Sequence, residues 1–299
     1  MQISAILAFL EAEHIPFLFS GNLDTEVSAF SSLSRYKQNS LTWIKAQEYI
    51  PEGFDVSQIT LAIASETVCG TFQNVIHTAQ SKYAFFSVIE RFFGSEQKPV
   101  PIGQFTYISP QVKLGKNVSI GHNCTLDGDI TIGDNTVIWN HVTIINRVII
   151  GQNCEIQSGT VIGHDGFGYT EDASHRKKMI KHFGGVWIGN DVHLGMNNVI
   201  ARGVIDDTVI GNGTKLSDLC HIGHNNVIGN DCTIINSALY GSCRIGQNAY
   251  ISYSVVKNQT QIGSNAFIGM NSNVIRDIPA GVTVIGNPAR PLVKGGNKL

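Results

Sequence analysis

The chain has 299 residues, 42% of them hydrophobic and 31 of them glycine, with 21 basic against 23 acidic side chains and a net charge of −2. That length holds one large repetitive domain plus a smaller one, the composition excludes a disordered chain, and the near-neutral charge leaves no electrostatic footprint for nucleic acid. No stretch reaches the roughly 18 uninterrupted apolar residues of a membrane span, so the expectation is a cytoplasmic chain with no membrane span.

The first segment, MQISAILAFLEAEH, lacks a basic leader and carries Glu11 and Glu13, which reads as an amphipathic helix over residues 2–14 rather than a signal peptide. Residues 1–98 have no repeat and read as a small α/β domain. Its predicted elements are that helix, an extended segment LTWI at 41–44, a buried strand ITLAIA at 59–64 and a helix from about Phe72 to Phe93. SEQKPVP (95–101) reads as a linker whose prolines also protect the first strand edge from pairing.

From position 102 to 162 every sixth residue is aliphatic: Ile102, Ile108, Leu114, Ile120, Leu126, Ile132, Ile138, Ile144, Ile150, Ile156 and Ile162. A helix repeats every three or four residues and an isolated strand every two, so a sustained period of six predicts a hexapeptide β-helix, three hexapeptides closing one triangular coil of roughly 18 residues. Glycine often follows the aliphatic residue, as at Gly103, Gly115 and Gly121. The repeat resumes with Ile188, Leu194 and Ile200, continues through Ile210, Leu216, Ile222, Ile228 and Ile234, and slips by single residues through Leu239, Ile245, Ile251, Val256, Ile262, Ile268 and Val274. The coils are expected over 99–278, with Pro279, Pro288 and Pro291 ending them and 279–299 forming a short tail. Cys124, Cys154, Cys220, Cys232 and Cys243 fall inside the repeat, Cys69 before it, and none forms a C-x-x-C pair. They read as small buried side chains rather than metal ligands or disulfides.

Residues 163–185, GHDGFGYTEDASHRKKMIKHFGG, break the period. Insertions in solenoids project on one face and commonly cover a site, and this mixture of His, Lys, Arg and aromatic residues suits a phosphate-bearing ligand. The densest chemistry lies in LSDLCHIGHNNVIGND, 216–231. His224, two residues after the inward Ile222, is placed at a coil corner, where a neutral imidazole can take a proton from an attacking amine. His221 is the rival candidate.

VIIGQNCEIQSGTVIGHDGFGYT (148–170), ARGVIDDTVIGNG (201–213) and CHIGHNNVIG (220–229), in this order and spacing, resemble the N-acyltransferase of lipid A synthesis that acts on UDP-3-O-(3-hydroxyacyl)glucosamine, and SLTWIKAQEYI (40–50) is similar to that family's uridine-binding domain. The resemblance implies a mainly β protein: a left-handed parallel β-helix behind a small N-terminal α/β domain, assembled as a homotrimer with active sites between neighbours. It implies acyl transfer from a phosphopantetheine thioester to the amine of a nucleotide-linked amino sugar, with no tightly bound cofactor and no metal. His224 falls on the family's catalytic base and Gly241 on the glycine whose N–H binds the oxyanion; Gly241 follows His224 by 17 residues, close to one coil, so the two should stack. Asp165, Gly166, Phe167, Gly168 and Tyr169 match the D-G-F-G-Y loop beside the acyl-donor channel. Gly166 and Gly168 are expected on the donor, and Asp165, Phe167 and Tyr169 with Arg202, His221 and Asn225 on the acceptor. Trp43 and Tyr49 match aromatic positions that hold uracil.

Departures from the family redirect part of this expectation. Ala46 stands where the family has Asn, Ala201 where it has Asp and Gln259 where it has a second His, and its C-terminal helical extension has no counterpart after Pro291. The favoured donor is therefore acetyl-CoA or another short acyl-CoA, with Arg290 and Lys294 near the coenzyme phosphate. The close alternative is the lipid A enzyme itself, served by acyl carrier protein. Two remoter readings remain: a β-helical carbonic anhydrase, which would need His221 and His224 to share zinc across the inward Ile222, and a non-enzymatic assembly surface, which leaves the HDGFGYT and HIGHN segments unexplained.

Overall fold

Spacing by six resolves into three interior columns of aliphatic side chains. The structure, a computed structural model, describes residues 1–94 and 100–291. Ile138 pairs in register with Ile156, Leu194 with Leu216, and Ile222 with Leu239, each side chain fully buried. Three sheets of eight, ten and nine strands form the walls, and all but the last strand pair in parallel. Because every strand is only two to four residues long, the fold draws its stability from stacking between coils rather than from any one strand.

The corners explain how such short strands turn. Asn117, Asn135 and Asn153 all have φ between 55° and 58°, a left-handed conformation that asparagine tolerates better than other residues bearing a Cβ. Their amides form a ladder, Asn117 donating to Asn135 at 3.1 Å, Asn135 to Asn153 at 3.2 Å and Asn153 to Asp191 at 3.3 Å. The five repeat cysteines are buried as expected, several with Sγ donating to the next coil's carbonyl, as from Cys124 to Trp139 at 3.0 Å.

Both ends of the repeat differ from expectation. Ile102 and Leu114, read as inward, are 54% and 38% exposed because no earlier coil covers them. At the other end Pro279 does not stop the coils. Thr283–Ile285 pairs in parallel with Phe267–Ile268 and buries Val284 beneath Ile268, since the chain needs only a two-residue ladder to add a coil. Arg290–Pro291 then folds back antiparallel on Thr283–Ile285, so the described part of the expected tail is a strand on the last coil. Most of the linker expected at 95–101 lies outside the described residues.

Residues 1–97 and 98–299 form two compact units. The first contains α1 (Ile3–Ala12), β1 (Leu18–Ser20), β2 (Ala29–Phe30), β3 (Ser40–Ile44), β4 (Leu61–Ala64), β5 (Val75–His77) and α2 (Ser81–Phe93), with sheet order β1-β5-β4-β3-β2. The second helix starts nine residues later than the sequence suggested. Val75 and Ile76 are β-branched and insert as a strand between β1 and β4, burying both, and the Thr78 hydroxyl then accepts from the Gln80 N–H ahead of the helix. No helix among the described residues is long and apolar enough to cross a membrane.

The corner ladder makes a testable demand. Asn135→Ala should lower the urea-unfolding free energy by about 1–2 kcal/mol, the cost of holding a left-handed residue with a Cβ. Asn135→Gly, which has no such cost, should lose less, and equal losses in the two variants would show that the amide ladder alone matters.

Candidate active site

One corner of the coil departs from the six-residue spacing in two consecutive turns. Ile222 to Ile228 spans the regular 6 residues, Ile200 to Ile210 spans 10, and Ile162 to Ile188 spans 26. The longest excursion is the expected insertion, and it folds into an antiparallel hairpin of Tyr169–Glu171 with Lys177–Met179. Its base is fastened by backbone and side-chain bonds to the shorter excursion. Phe183 N–H donates to the Val204 carbonyl at 2.8 Å, Gly184 N–H to the Gly203 carbonyl at 3.0 Å, and the Arg202 Nε to the Gly184 carbonyl at 2.6 Å. The Asp207 carboxylate accepts from the Gly185 N–H at 2.7 Å and pairs with Arg147.

Asn225 continues the same chain of ties to the base. Its Oδ1 accepts from the Val204 N–H at 3.0 Å and its Nδ2 donates to the Asp206 carbonyl at 3.0 Å. That fixes which end of the amide is which. The Oδ1 also lies 3.0 Å from Nδ1 of His224, and since an amide oxygen only accepts, His224 must carry its proton on Nδ1. In the neutral ring Nε2 is then a bare lone pair, the state a general base requires.

The register His221–Ala238 and Ile222–Leu239 stacks Gly241 beside His224, as the spacing of 17 implied. A methyl built on Gly241 would lie 2.7 Å from both Nε2 and Cε1 of His224, so only glycine fits here. The Gly241 N–H has no hydrogen-bond partner among the described residues, whereas the neighbouring Ser242 N–H donates to the His224 carbonyl at 2.8 Å. A bare imidazole nitrogen and an unspent backbone N–H therefore share one end of a cleft of about 480 Å³, lined also by Gly166, Phe167, Ala201, His221, Tyr240 and Gln259.

His221 is half-buried in this cleft, its ring 6.3 Å from that of Tyr240. Burial, and to a smaller degree the neighbouring His164 imidazole, hold its pKa below the ordinary histidine value. Of the expected site residues, the structure thus brings His224, Gly241, His221, Gly166 and Phe167 to one cleft. Asn225 and Arg202 do not line it: Asn225 bonds Val204, Asp206 and the His224 ring, and Arg202 donates through Nε to the Gly184 carbonyl at the base of the hairpin. Asp165, Gly168 and Tyr169 belong to the insertion without lining the cleft, Tyr169 packing against Phe167 at 5.0 Å between ring centroids. Arg290 is exposed, with Nη1 on the Ala289 carbonyl at 3.0 Å, and is not among the cleft residues; Lys294 lies outside the described residues. Sequence reasoning did not single out His182, buried against His224, or Tyr240. Neither falls in a motif, and only the stacking register would have pointed to Tyr240. Among the described residues no three His, Cys, Asp or Glu side chains are placed to share a metal ion.

In the first unit, Trp43 donates from Nε1 to Ser81 Oγ at 3.1 Å and stacks on Phe85 at 6.4 Å, so one ring face is spent on packing. It borders a separate cleft with Lys45, Lys82, Tyr83 and Phe86. Tyr49 is 55% exposed, with the Lys45 ammonium 5.2 Å above its ring, and does not line that cleft.

Comparison with known proteins supplies the context. The family described as bacterial transferase hexapeptide (six repeats) matches residues 129–164. A UDP-3-O-acylglucosamine N-acyltransferase of Methylorubrum populi is 39% identical over 139 residues, covering 46% of this chain and 39% of that protein. The enzyme of the same name from Dechloromonas aromatica is 52% identical over 79 residues, 26% of this chain and 22% of that one. The matches thus span well under half the length of these relatives. Among solved structures, the UDP-N-acetylglucosamine acyltransferase of Francisella novicida superposes with a TM-score of 0.58 at 28% identity, covering 64% of this chain and 69% of that chain. The hexapeptide-repeat match covers residues 129–164, and the repeat unit has a left-handed parallel β-helix fold similar to that of these acyltransferases.

Proposed function

We propose that this chain is an N-acyltransferase acting on the amine of a UDP-linked glucosamine. The observation that carries the reading is the bare Nε2 of His224 beside the unspent N–H of Gly241 in one cleft. The sugar amine attacks the thioester carbonyl while His224 Nε2 takes its proton, and the Gly241 N–H donates to the oxyanion that forms. As the tetrahedral intermediate collapses the C–S bond breaks, and the thiolate recovers the proton from His224. A bound and deprotonated amine is already a competent nucleophile, so no covalent acyl-enzyme is required. The cysteines fit that account: burial pushes the Cys220 thiol above its ordinary pKa, and its Sγ donates to the Ile234 carbonyl.

For acceptor and donor, the relatives favour the lipid A alternative over the acetyl reading. Both named relatives act on UDP-3-O-acylglucosamine. The expected placement of Arg290 beside a coenzyme phosphate gains no support, since Arg290 is not among the residues lining the cleft. We therefore place a hydroxyacyl thioester on acyl carrier protein ahead of acetyl-CoA as donor. The first unit supports a uridine diphosphate site in its own cleft, where Lys45 and Lys82 flank the aromatic wall of Trp43, Tyr83 and Phe86. Phe167, Phe183 and Ile205, 89%, 75% and 78% exposed on the two excursions, fit a homotrimer in which a neighbouring copy covers them.

Turnover of UDP-3-O-acylglucosamine by the purified chain, with hydroxyacyl carrier protein and acetyl-CoA compared as donors, tests the assignment; no transfer from either thioester would refute it. His224→Ala should lose about two to four orders of magnitude in kcat with little change in KM. Trp43→Ala should weaken UDP-sugar binding by about 1–3 kcal/mol, measured calorimetrically, and leave donor binding unchanged.

A further inference from the structure

Two imidazoles of the insertion present buried nitrogens that meet nothing. Nδ1 of His164 lies 2.7 Å from the Asp165 carbonyl, and Nδ1 of His182, on the returning limb, lies 2.9 Å from the Ile180 carbonyl. A carbonyl only accepts, so both rings are protonated on Nδ1, and in the neutral form that burial without a partner favours, both Nε2 atoms are bare lone pairs. Each Nε2 is buried without a hydrogen-bond partner among the described residues. An unpaired buried acceptor costs on the order of 1–3 kcal/mol, which calls for a compensating role.

For His182 the surroundings point to that role. The residue is 3% exposed, and its ring stands 5.3 Å from that of His224 at an interplanar angle of 83°. The two rings meet at Gly166, where a methyl would lie 3.0 Å from His182 Nε2 and 3.0 Å from both Cβ and Cδ2 of His224. The negative end of a neutral imidazole is thus held, away from water, at the flank of the base.

We propose that His182 is a positioning residue for the base: it packs edge to face against His224 and, through its bare Nε2, favours the positive charge that His224 acquires when it takes a proton. The proposal rests on the acyl-transfer reading only for the source of that proton, the sugar amine. The charge exists while the tetrahedral intermediate exists and vanishes when the thiolate recovers the proton. A dipole already fixed in a dry site stabilises it without reorganisation. The other titratable groups on the elements around the ring include His221 on its own coil, Tyr240 on the next, His164 and Asp165 on the outgoing limb, Lys181 on the returning limb, and Asp206 and Asp207 on the shorter excursion. The nearby Arg202 is bound through Nε to the Gly184 carbonyl.

An NMR titration of the His224 ring in the free 299-residue chain reads this effect without any substrate. In His182→Phe, which keeps a ring and removes the nitrogen, the His224 pKa should fall by about half a unit or more, because the imidazolium loses its partner while the neutral ring does not. His182→Met serves the same purpose if phenylalanine disturbs folding. His182→Gln, whose amide oxygen can accept, should return the value toward wild type. In turnover, His182→Phe should lower kcat about tenfold with KM within about twofold. A His224 pKa unchanged in folded His182→Phe or His182→Met, or a Gln variant no different from the Phe variant, would overturn the proposal. If the wild-type chain transfers no acyl group, the acyl-transfer reading fails and the titration still decides the part played by His182.

Discussion

Coil-on-coil stacking in fixed register is the constraint on which the rest depends. Burying an aliphatic side chain beneath its equivalent in the previous coil contributes about 1.5–3 kcal/mol per residue, and a slip by one position would turn the whole column outward. The register therefore cannot drift, and whatever stands at a corner is placed as firmly as the columns. His224 and Gly241 come together because Ile222 sits on Leu239, with no dedicated contact between them needed. The proposed catalytic geometry follows from the same interaction that holds the fold.

The two excursions at that corner add what the repeat cannot. A regular corner would leave His224 open to water and free to rotate. The shorter excursion supplies Val204 and Asp206 as backbone partners that lock Asn225, which in turn fixes the tautomer of His224. The longer one is bound to the shorter through Arg202, Gly184 and Asp207 and carries Gly166 and His182 over the imidazole. Departures from periodicity are thus concentrated where the chemistry is, and each is tied to the next coil by hydrogen bonds that a regular turn would not make.

Much of this was legible in the sequence, for identifiable reasons. Aliphatic spacing reports burial directly, so the three columns, the buried cysteines and the stacking of Gly241 on His224 could be read residue by residue. The start of the second helix could not, because Val75 and Ile76 read as part of a helical pattern until the strands on either side are known. Pro279 misled for a related reason: proline constrains its own backbone, but Val284 beyond it still found a buried place under Ile268. For Arg202 and Asn225 the sequence located the site but not the hydrogen bonds that they make within it. Those partners, Gly184, Val204 and Asp206, lie on neighbouring coils and follow from no local motif. His182 lay in a segment with neither period nor motif, so nothing local distinguished it.

The central claim is that His224 rests with its proton on Nδ1 and an open lone pair on Nε2, held so by Asn225. Nitrogen-15 chemical shifts of the His224 ring in the free protein, recorded above its titration, measure this directly. The account predicts a protonated Nδ1 and an unprotonated Nε2, with the two forms mixing once Asn225 is replaced by alanine. A ring protonated on Nε2 in the wild-type protein would contradict it.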